Sequence, residues 1–504
     1  MCQVEEEYRE PPLAPAPPSV CKTCVKCKDA SAAVVVRAGD PYCRTCFKDY
    51  FIHKFRAMLG KNRVIFPGEK VLLAVSGGPS SSSMLRQVQE GLSQNAHKKL
   101  RFSPGIVYID EGGAVGRSLE ERLRTASELQ AVFRSTGFPF HMVPLEQVLD
   151  VPPSVLVPAA SSQPAASVYK AAVDGFLQAA GGRRPGAAVQ QQDAAGLDVL
   201  EAHTASLQQL MDSATSLTAR QELLSSLRQH LLVHTARSHG YSKLMLGDSC
   251  SRSAVKLLAA VCLGRGAQLA QDTGFSDSRY GDVVSVRPMR DYSAKEIAFY
   301  NHMFGVPSVL SPSLTTKTSD KSSIQQLTES FITRLQADFP STVSTIYRTS
   351  EKLQTAGGSS GGTAGTDTCL LCVCVLDTSV GNATAFRSTL VSQCLSDSRA
   401  VPSGPDPVSA KQSRPCGGQQ CGTRTCSAED RTPDLKALLC YSCQRTLRDL
   451  SSLDRLPHYI LSEAQSRARR SQLREEIRDF LLDHHDDDED DEGLHSPPDP
   501  SVVA

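Results

Sequence analysis

Apolar residues recur at helical spacing through 47–60 (FKDYFIHKFRAMLG), where Phe47, Tyr50, Phe51, Phe55 and Met58 share one face and Gly60 is expected to stop the helix. From Val64 the period changes. The run 70–75 (KVLLAV) reads as a buried strand, followed by Ser-Gly-Gly and a helix. A second strand is expected at 105–110 (GIVYID), and 119–135 suits a helix that returns the chain to the sheet. The pattern resumes with a helix from Thr218, opened by a Thr218 and Gln221 capping box and running to about His239, then with strands at 244–246 and 282–286. Strand and helix alternate, so the expected fold is α/β, a parallel sheet with helices on both faces. A last helical pattern covers 462–482.

Composition divides the chain further. Residues 1–20 are rich in Glu and Pro and are expected to be disordered; 21–63 form a Cys-dense module and basic helix; 64–350 carry the α/β pattern. Inside that domain, 152–215 turns to Ala, Gln, Pro and Gly and reads as a largely loose insertion. A linker at 351–368, a Cys-rich module with a loose middle at 369–461, and a helix with an acidic tail at 462–504 complete the layout. No stretch reaches 18 uninterrupted apolar residues, and the first twenty positions lack the apolar run of a signal peptide, so neither membrane spanning nor secretion is expected. The formal net charge of zero hides an asymmetry: eight of the 54 acids lie in 483–492, which leaves the rest of the chain at +8. Residues 44–70 hold seven Lys or Arg against two acids.

Seventeen cysteines, many in C-x-x-C pairs and without a secretory signal, read as metal ligands in a reducing compartment. Cys24-x-x-Cys27 and Cys43-x-x-Cys46 stand fifteen residues apart, a zinc-ribbon spacing in which two tight turns supply four thiolates to one tetrahedral ion. Cys21 could replace Cys27. A second set pairs Cys369 and Cys372 with Cys440 and Cys443 across sixty-seven residues, where Cys374, Cys394, Cys416, Cys421 and Cys426 could compete for the ion. Zinc is expected at both sets. His230 and His234, four apart on a helix, have ligand spacing, but a polar helical face is the stronger reading.

The loop after the first buried strand reads Ser76-Gly77-Gly78-Pro79-Ser80-Ser81. Glycines let the backbone bend around a ligand, and amides at the next helix start can face an anion, so Ser76, Gly77, Gly78, Ser80 and Ser81 are candidate phosphate contacts. The competing reading is a tight turn with a serine cap.

These residues carry a resemblance. KVLLAVSGG is similar to the PP-loop of the N-type ATP pyrophosphatases, and VYIDEG at 107–112, LGDSCSRSAVKLLAAVCLGRG at 246–266 and SVRPMRDYSAKEIAFY at 285–300 continue it. With Cys modules at both ends, the order resembles the tRNA 2-thiolation group. CVKCK, YCRTCFKDYF, HKFRAMLGKNRVIFPGEKVLLAVSGGPSSSSML and the late CYSC match its second-subunit branch over 24–150, 216–350 and the C-terminal Cys pairs.

The resemblance implies ATP-driven adenylation of the C2 oxygen of wobble uridine, followed by sulfur displacing AMP. Active members carry SGG-x-D-S and a pair of acids after the later Gly block; here the first Asp is Ser80, preceded by Pro79, and the second stretch, 247–252, holds only Asp248. No Cys lies between Cys46 and Cys250, where catalytic relatives handle sulfur, and Cys262, in an apolar run, is expected to be buried and inert. A subunit without complete catalytic residues is therefore expected, one that binds tRNA beside a catalytic PP-loop partner supplied by a ubiquitin-like sulfur carrier in the cytoplasm. ATP is expected here or only through that partner. Lys48, Lys54, Arg56, Lys61 and Arg63 are the expected tRNA phosphate contacts, a solvated helix face being the alternative. Two other functions stay open: an independent AMP-forming ligase, and a noncatalytic zinc RNA-binding scaffold.

Overall fold

The computed structural model describes residues 23–36, 39–94, 99–159, 197–316, 322–350, 368–376 and 435–477, with isolated positions besides. Outside the described residues lie the N-terminal stretch, most of the linker, the acidic tail, Cys21, Cys394, Cys416, Cys421 and Cys426.

Strands β1 (Val34–Val36) and β2 (Asp40–Tyr42) pair antiparallel and lead into α1 (Arg44–Asn62). Phe47, Phe51 and Phe55, four residues apart, form its buried side. Gly60 does not stop the helix. One glycine costs only about 1 kcal/mol inside a helix. The chain instead closes at Arg63, whose left-handed φ of 50° lets its N–H reach Leu59 O at 3.2 Å.

The α/β domain continues with β3 (Lys70–Ala74), α2 (Pro79–Leu92), β4 (Ser103–Asp110), α3 (Leu119–Thr136) and β5 (Phe140–Pro144). After the insertion come α4 (Glu201–Ser213), α5 (Leu217–Ser238), β6 (Lys243–Leu246), α6 (Cys250–Cys262), α7 (Leu269–Thr273), β7 (Ser276–Asp277), β8 (Val284–Val286) and α8 (Ala294–Phe304). Then follow α9 (Ile324–Asp338), α10 (Pro340–Ser350), α11 (Tyr441–Arg448) and α12 (His458–Glu476). The sheet order is β5-β4-β3-β6-β8-β7, parallel except at β7. The chain winds outward from β3 through β5 and returns on the other side of β3 at β6, which opens a crevice at the carboxyl ends of β3 and β6.

Alternation along the strands sorts their side chains into two layers. Val71, Leu73, Ile106, Tyr108 and Met245 pack with α1, α2, α3 and α8. Leu72, Val107 and Leu244 face the other way, onto α4, α5 and the C-terminal Cys segment.

Two boundaries differ from expectation. Ser216, not Thr218, caps α5, its hydroxyl accepting from Ala219 N–H at 3.1 Å, while Thr218 Oγ1 accepts from Ile324 N–H at 3.2 Å. The span 152–215 is ordered at both ends: Val155 and Leu156 are buried in a 3-10 turn, and Leu207, Leu210 and Met211 bury one side of α4. Their i, i+3, i+4 spacing outweighs the Ala- and Gln-rich composition around them. Nor is the second Cys segment set apart, since Cys369, Leu370, Leu371, Cys443, Tyr459 and Ile460 share one core cluster with Leu72 of the sheet.

Candidate functional site

The Ser-Gly-Gly loop occupies the crevice between β3 and α2. Gly77 has a φ of +81°, and a Cβ there would lie 2.9 Å from Leu129 Cδ2 and 3.0 Å from Val309 O. Gly247, at the end of β6, packs as tightly from the other side, 2.9 Å separating its would-be Cβ from Ser81 Cα. Only glycine fits at either position.

The serine hydroxyls turn onto the protein's own carbonyls. Ser80 Oγ donates to Gly247 O, Ser81 Oγ to Gly78 O at 3.0 Å and Ser82 Oγ to Gly77 O at 3.1 Å. Gly77 O also accepts from Val309 N–H at 2.9 Å, so the segment after α8 lies against the loop. Asn301 of α8 clamps the helix start, accepting from Ser83 Oγ at 2.6 Å and donating to Pro79 O at 2.9 Å. Ser76 Oγ lies 3.3 Å from Ser81 Oγ. The loop thus keeps its curved backbone, with Pro79 lacking an N–H and the amides at the start of α2 without helical acceptors. Sequence reasoning missed Asn301 and Val309 because both lie more than two hundred residues away along the chain.

Asp248, the remaining acid after the later Gly block, is buried. Burial alone would raise its pKa, but Lys256 Nζ at 2.6 Å, Arg287 Nε at 3.5 Å and Arg252 Nε at 3.7 Å outweigh it and hold the carboxyl far below the usual range. It is committed to these three cations. At the end of β4, Arg122 bridges Asp110 at 2.6 Å and Glu146 at 2.8 Å, all three buried, and fixes that rim of the crevice. Cys250 is buried and its thiol is pushed up to about 11 by that burial, whereas Cys262 is exposed, the reverse of the expectation for Cys262. It sits in the last residue of α6, on the side away from the buried Ser253, Ala254 and Leu257.

Both cysteine quartets assemble. The sulfurs of Cys24, Cys27, Cys43 and Cys46 all lie within 4.8 Å of one another, as do those of Cys369, Cys372, Cys440 and Cys443. A tetrahedral ion with metal–sulfur bonds of about 2.3 Å requires sulfur separations of roughly 3.8 Å. Cys27 to Cys43 is 3.9 Å and Cys372 to Cys440 is 3.6 Å, so both donor sets fit a closed thiophilic site. In the first, burial opposes the Cys24 thiolate, but N–H groups of Cys27, Cys43 and Lys26 overcome it and bring the thiol down to about 6. Burial and the other three sulfurs push Cys46 up to about 12. Cys374 stays out of the second quartet, its sulfur accepting from Arg279 Nη1 at 3.0 Å. His230 is no ligand either: Nε2 donates to Leu371 O at 2.8 Å, leaving Nδ1 to accept from the Tyr459 hydroxyl at 2.7 Å.

The five expected phosphate contacts divide. Lys54 is buried, its Nζ 3.0 Å from both carboxylate oxygens of Glu296 and 3.1 Å from Tyr50 Oη, so it cannot meet a phosphate. Lys48 is half-buried, 3.9 Å from Glu90 and over the ring of Phe304. Arg56 is half-buried, and Lys61 and Arg63 are exposed at the end of α1. Tyr50 donates to Glu296 at 2.8 Å and Phe55 is buried, so both belong to the core contact between α1 and α8.

The family described as Cytoplasmic tRNA 2-thiolation protein 2 matches residues 323–445. The Danio rerio protein of that name is 55% identical over 501 residues, covering 97% of this chain and 100% of its own length. The Homo sapiens protein is 51% identical over 518 residues, covering 97% and 99%. Among solved structures, the U34-tRNA thiolase NcsA from Methanococcus maripaludis, with its 4Fe-4S cluster, aligns over 69% of this chain and 95% of its own at 15% identity, with a TM-score of 0.45. The identity to whole relatives leaves one assignment, and the chain belongs to the cytoplasmic tRNA 2-thiolation protein 2 family.

Proposed function

We propose that this chain is the noncatalytic subunit of a heteromeric complex that 2-thiolates the wobble uridine of tRNAs in the cytoplasm. It positions tRNA and supports a catalytic PP-loop partner, which adenylates the uridine and takes sulfur from a ubiquitin-like carrier. The observation that carries this reading is the Ser80 hydroxyl, which stands where active relatives have an acid and donates to Gly247 O. A carboxylate at that position would bring negative charge to the metal of a metal-bound nucleotide; the Ser80 hydroxyl, its hydrogen given to Gly247 O, brings none. Asp248 is neutralised by three cations. The loop therefore offers no free acid to a metal-bound nucleotide, while the amides at the start of α2 stay open to a phosphate, and no chemical step is assigned to it.

Structural zinc is the ion we assign to both quartets, four thiolates each in a closed set. Lys61 and Arg63, exposed at the end of α1, offer charge to tRNA phosphates, with the half-buried Lys48 near the start and Arg56 in the middle of the same helix. The test combines this chain and its partner, singly and together, with tRNA, ATP and a sulfur donor, scoring 2-thiouridine. Product is expected only from the pair, and appreciable product from this chain alone ends the proposal.

A further inference from the structure

We propose that the outer half of α12 is an arginine-rich surface for RNA phosphates, distinct from the end of α1. The inner half of α12 is anchored by buried Tyr459, Ile460, Glu463 and Ala464. From Ala468 to Ile477 every residue is exposed, so about three turns, roughly 15 Å, stand clear of the domain. Seven arginines and no lysine fall within 441–477, and four of them, Arg467, Arg469, Arg470 and Arg474, lie on this helix.

The buried Glu463 orients two of these. Its Oε1 accepts from Arg467 Nε and Arg470 Nη2, each at 2.8 Å; Arg467 is spent on the domain, donating also to Thr368 O and Leu156 O, whereas the Arg470 side chain remains 61% exposed. Arg469 and Arg474 make no ion pair among the described residues. Guanidinium groups suit phosphate because their planar donors can grip two oxygens at once, which a lysine ammonium cannot. Arginine-rich helices without a sequence-reading pocket bind RNA through charge and shape. Leu473 and Ile477, also exposed, would suit a protein groove instead; three exposed arginines, Arg469, Arg470 and Arg474, outnumber these two apolar residues and also the two acids Glu475 and Glu476, which favours RNA.

Position makes this surface independent of α1. The root of α12 packs in the layer holding Leu72 and Val107, whereas α1 packs in the opposite layer with Val71 and Leu73. Two contact sites on opposite faces of a sheet should contribute additively.

The inference rests on the proposed tRNA role, and its test separates the two. Full-length chain with its partner subunit is titrated with tRNA across salt concentrations, comparing wild type, Arg469→Glu with Arg474→Glu, Arg469→Lys with Arg474→Lys, and Lys61→Glu with Arg63→Glu, each first checked for an unchanged melting temperature. The α12 Glu variant should weaken binding about tenfold at low salt and make the log–log salt slope shallower by about 1.5, two contacts' worth. The Lys variant should keep the slope, and combining the Glu pairs should add their losses. Weakening by the α1 variant alone overturns the inference and leaves the proposed function standing. Loss of partner co-purification with an unchanged salt slope overturns it in favour of a protein surface. No tRNA binding by wild type removes both.

Discussion

Lys54 and Glu296 face each other across the contact of α1 with α8, Nζ 3.0 Å from both carboxylate oxygens, with side chains 8% and 4% exposed. The same carboxylate accepts from Ser293 N–H at 2.8 Å to close the capping box of α8. One ion pair thereby joins the N-terminal Cys module to the α/β domain.

Removing one partner leaves an uncompensated buried charge. Glu296→Gln or Lys54→Met should each cost about 3–5 kcal/mol, while the double variant Lys54→Met with Glu296→Gln, which leaves no charge unpaired and keeps an acceptor for Ser293 N–H, should lose less than either alone. Urea unfolding of the three variants checks this, and equal losses in single and double variants would contradict the pairing.

Metal analysis of the purified chain should return two zinc ions. Cys43→Ser with Cys46→Ser should lose one and loosen the N-terminal module, because thiolate binding contributes on the order of 10 kcal/mol to so small a unit. Cys369→Ser with Cys443→Ser should lose the other and lower the melting temperature of the whole domain, since both residues lie in the core cluster shared with the sheet. A stoichiometry of one, or a second pair of substitutions that leaves the domain unaffected, would count against the arrangement.

How much of this was legible in the sequence depends on distance along the chain. The Phe47, Phe51 and Phe55 stripe, the β3 strand and its glycine loop, and the first Cys quartet all declare themselves within a few dozen residues. Lys54 looked like one more base on a basic helix because Glu296, which neutralises it, is 242 residues away. The second quartet was readable as two pairs, but its place in the main core was not, since burial of Leu371 depends on His230 and Tyr459 meeting around it. Composition misled where period did not: α4 sits in an Ala- and Gln-rich stretch, yet its Leu207, Leu210 and Met211 keep helical spacing.

His141 supplies a pH test away from the cysteines. Burial, with a smaller contribution from the neighbouring His239, brings it down to about 4, and its Nε2 has no hydrogen-bond partner. An unfolded histidine titrates near 6.5, so below that pH the unfolded chain binds a proton that the folded chain refuses. Stability should fall as pH drops from about 6.5 towards 4, by about 1 kcal/mol at pH 5.5 from this residue. His141→Phe should narrow the difference in unfolding free energy between pH 7.5 and 5.5 by that amount; an unchanged difference would be the contrary result.

Gly247→Ala would drive a methyl group to 2.9 Å from Ser81 Cα, where only backbone can yield. A loss of about 1–3 kcal/mol is expected. Thermal unfolding reads it directly, and an unshifted midpoint would mean that the two loops are not in contact.

The core cluster that joins Leu72 of β3 to Tyr459, Ile460 and Ala464 of α12 has a consequence for the chain while it is being made. The ribosome delivers α4 and α5 soon after β3 but the Cys369–Val373 segment and α12 more than a hundred residues later, so that layer of the core stays incomplete until they emerge. At ordinary elongation rates that interval is on the order of tens of seconds. Throughout it the nascent chain holds Val155, Leu156 and Leu231 without their final neighbours, and a premature stop between α5 and α12 releases a protein with part of that layer open to aggregation or to capture by quality control.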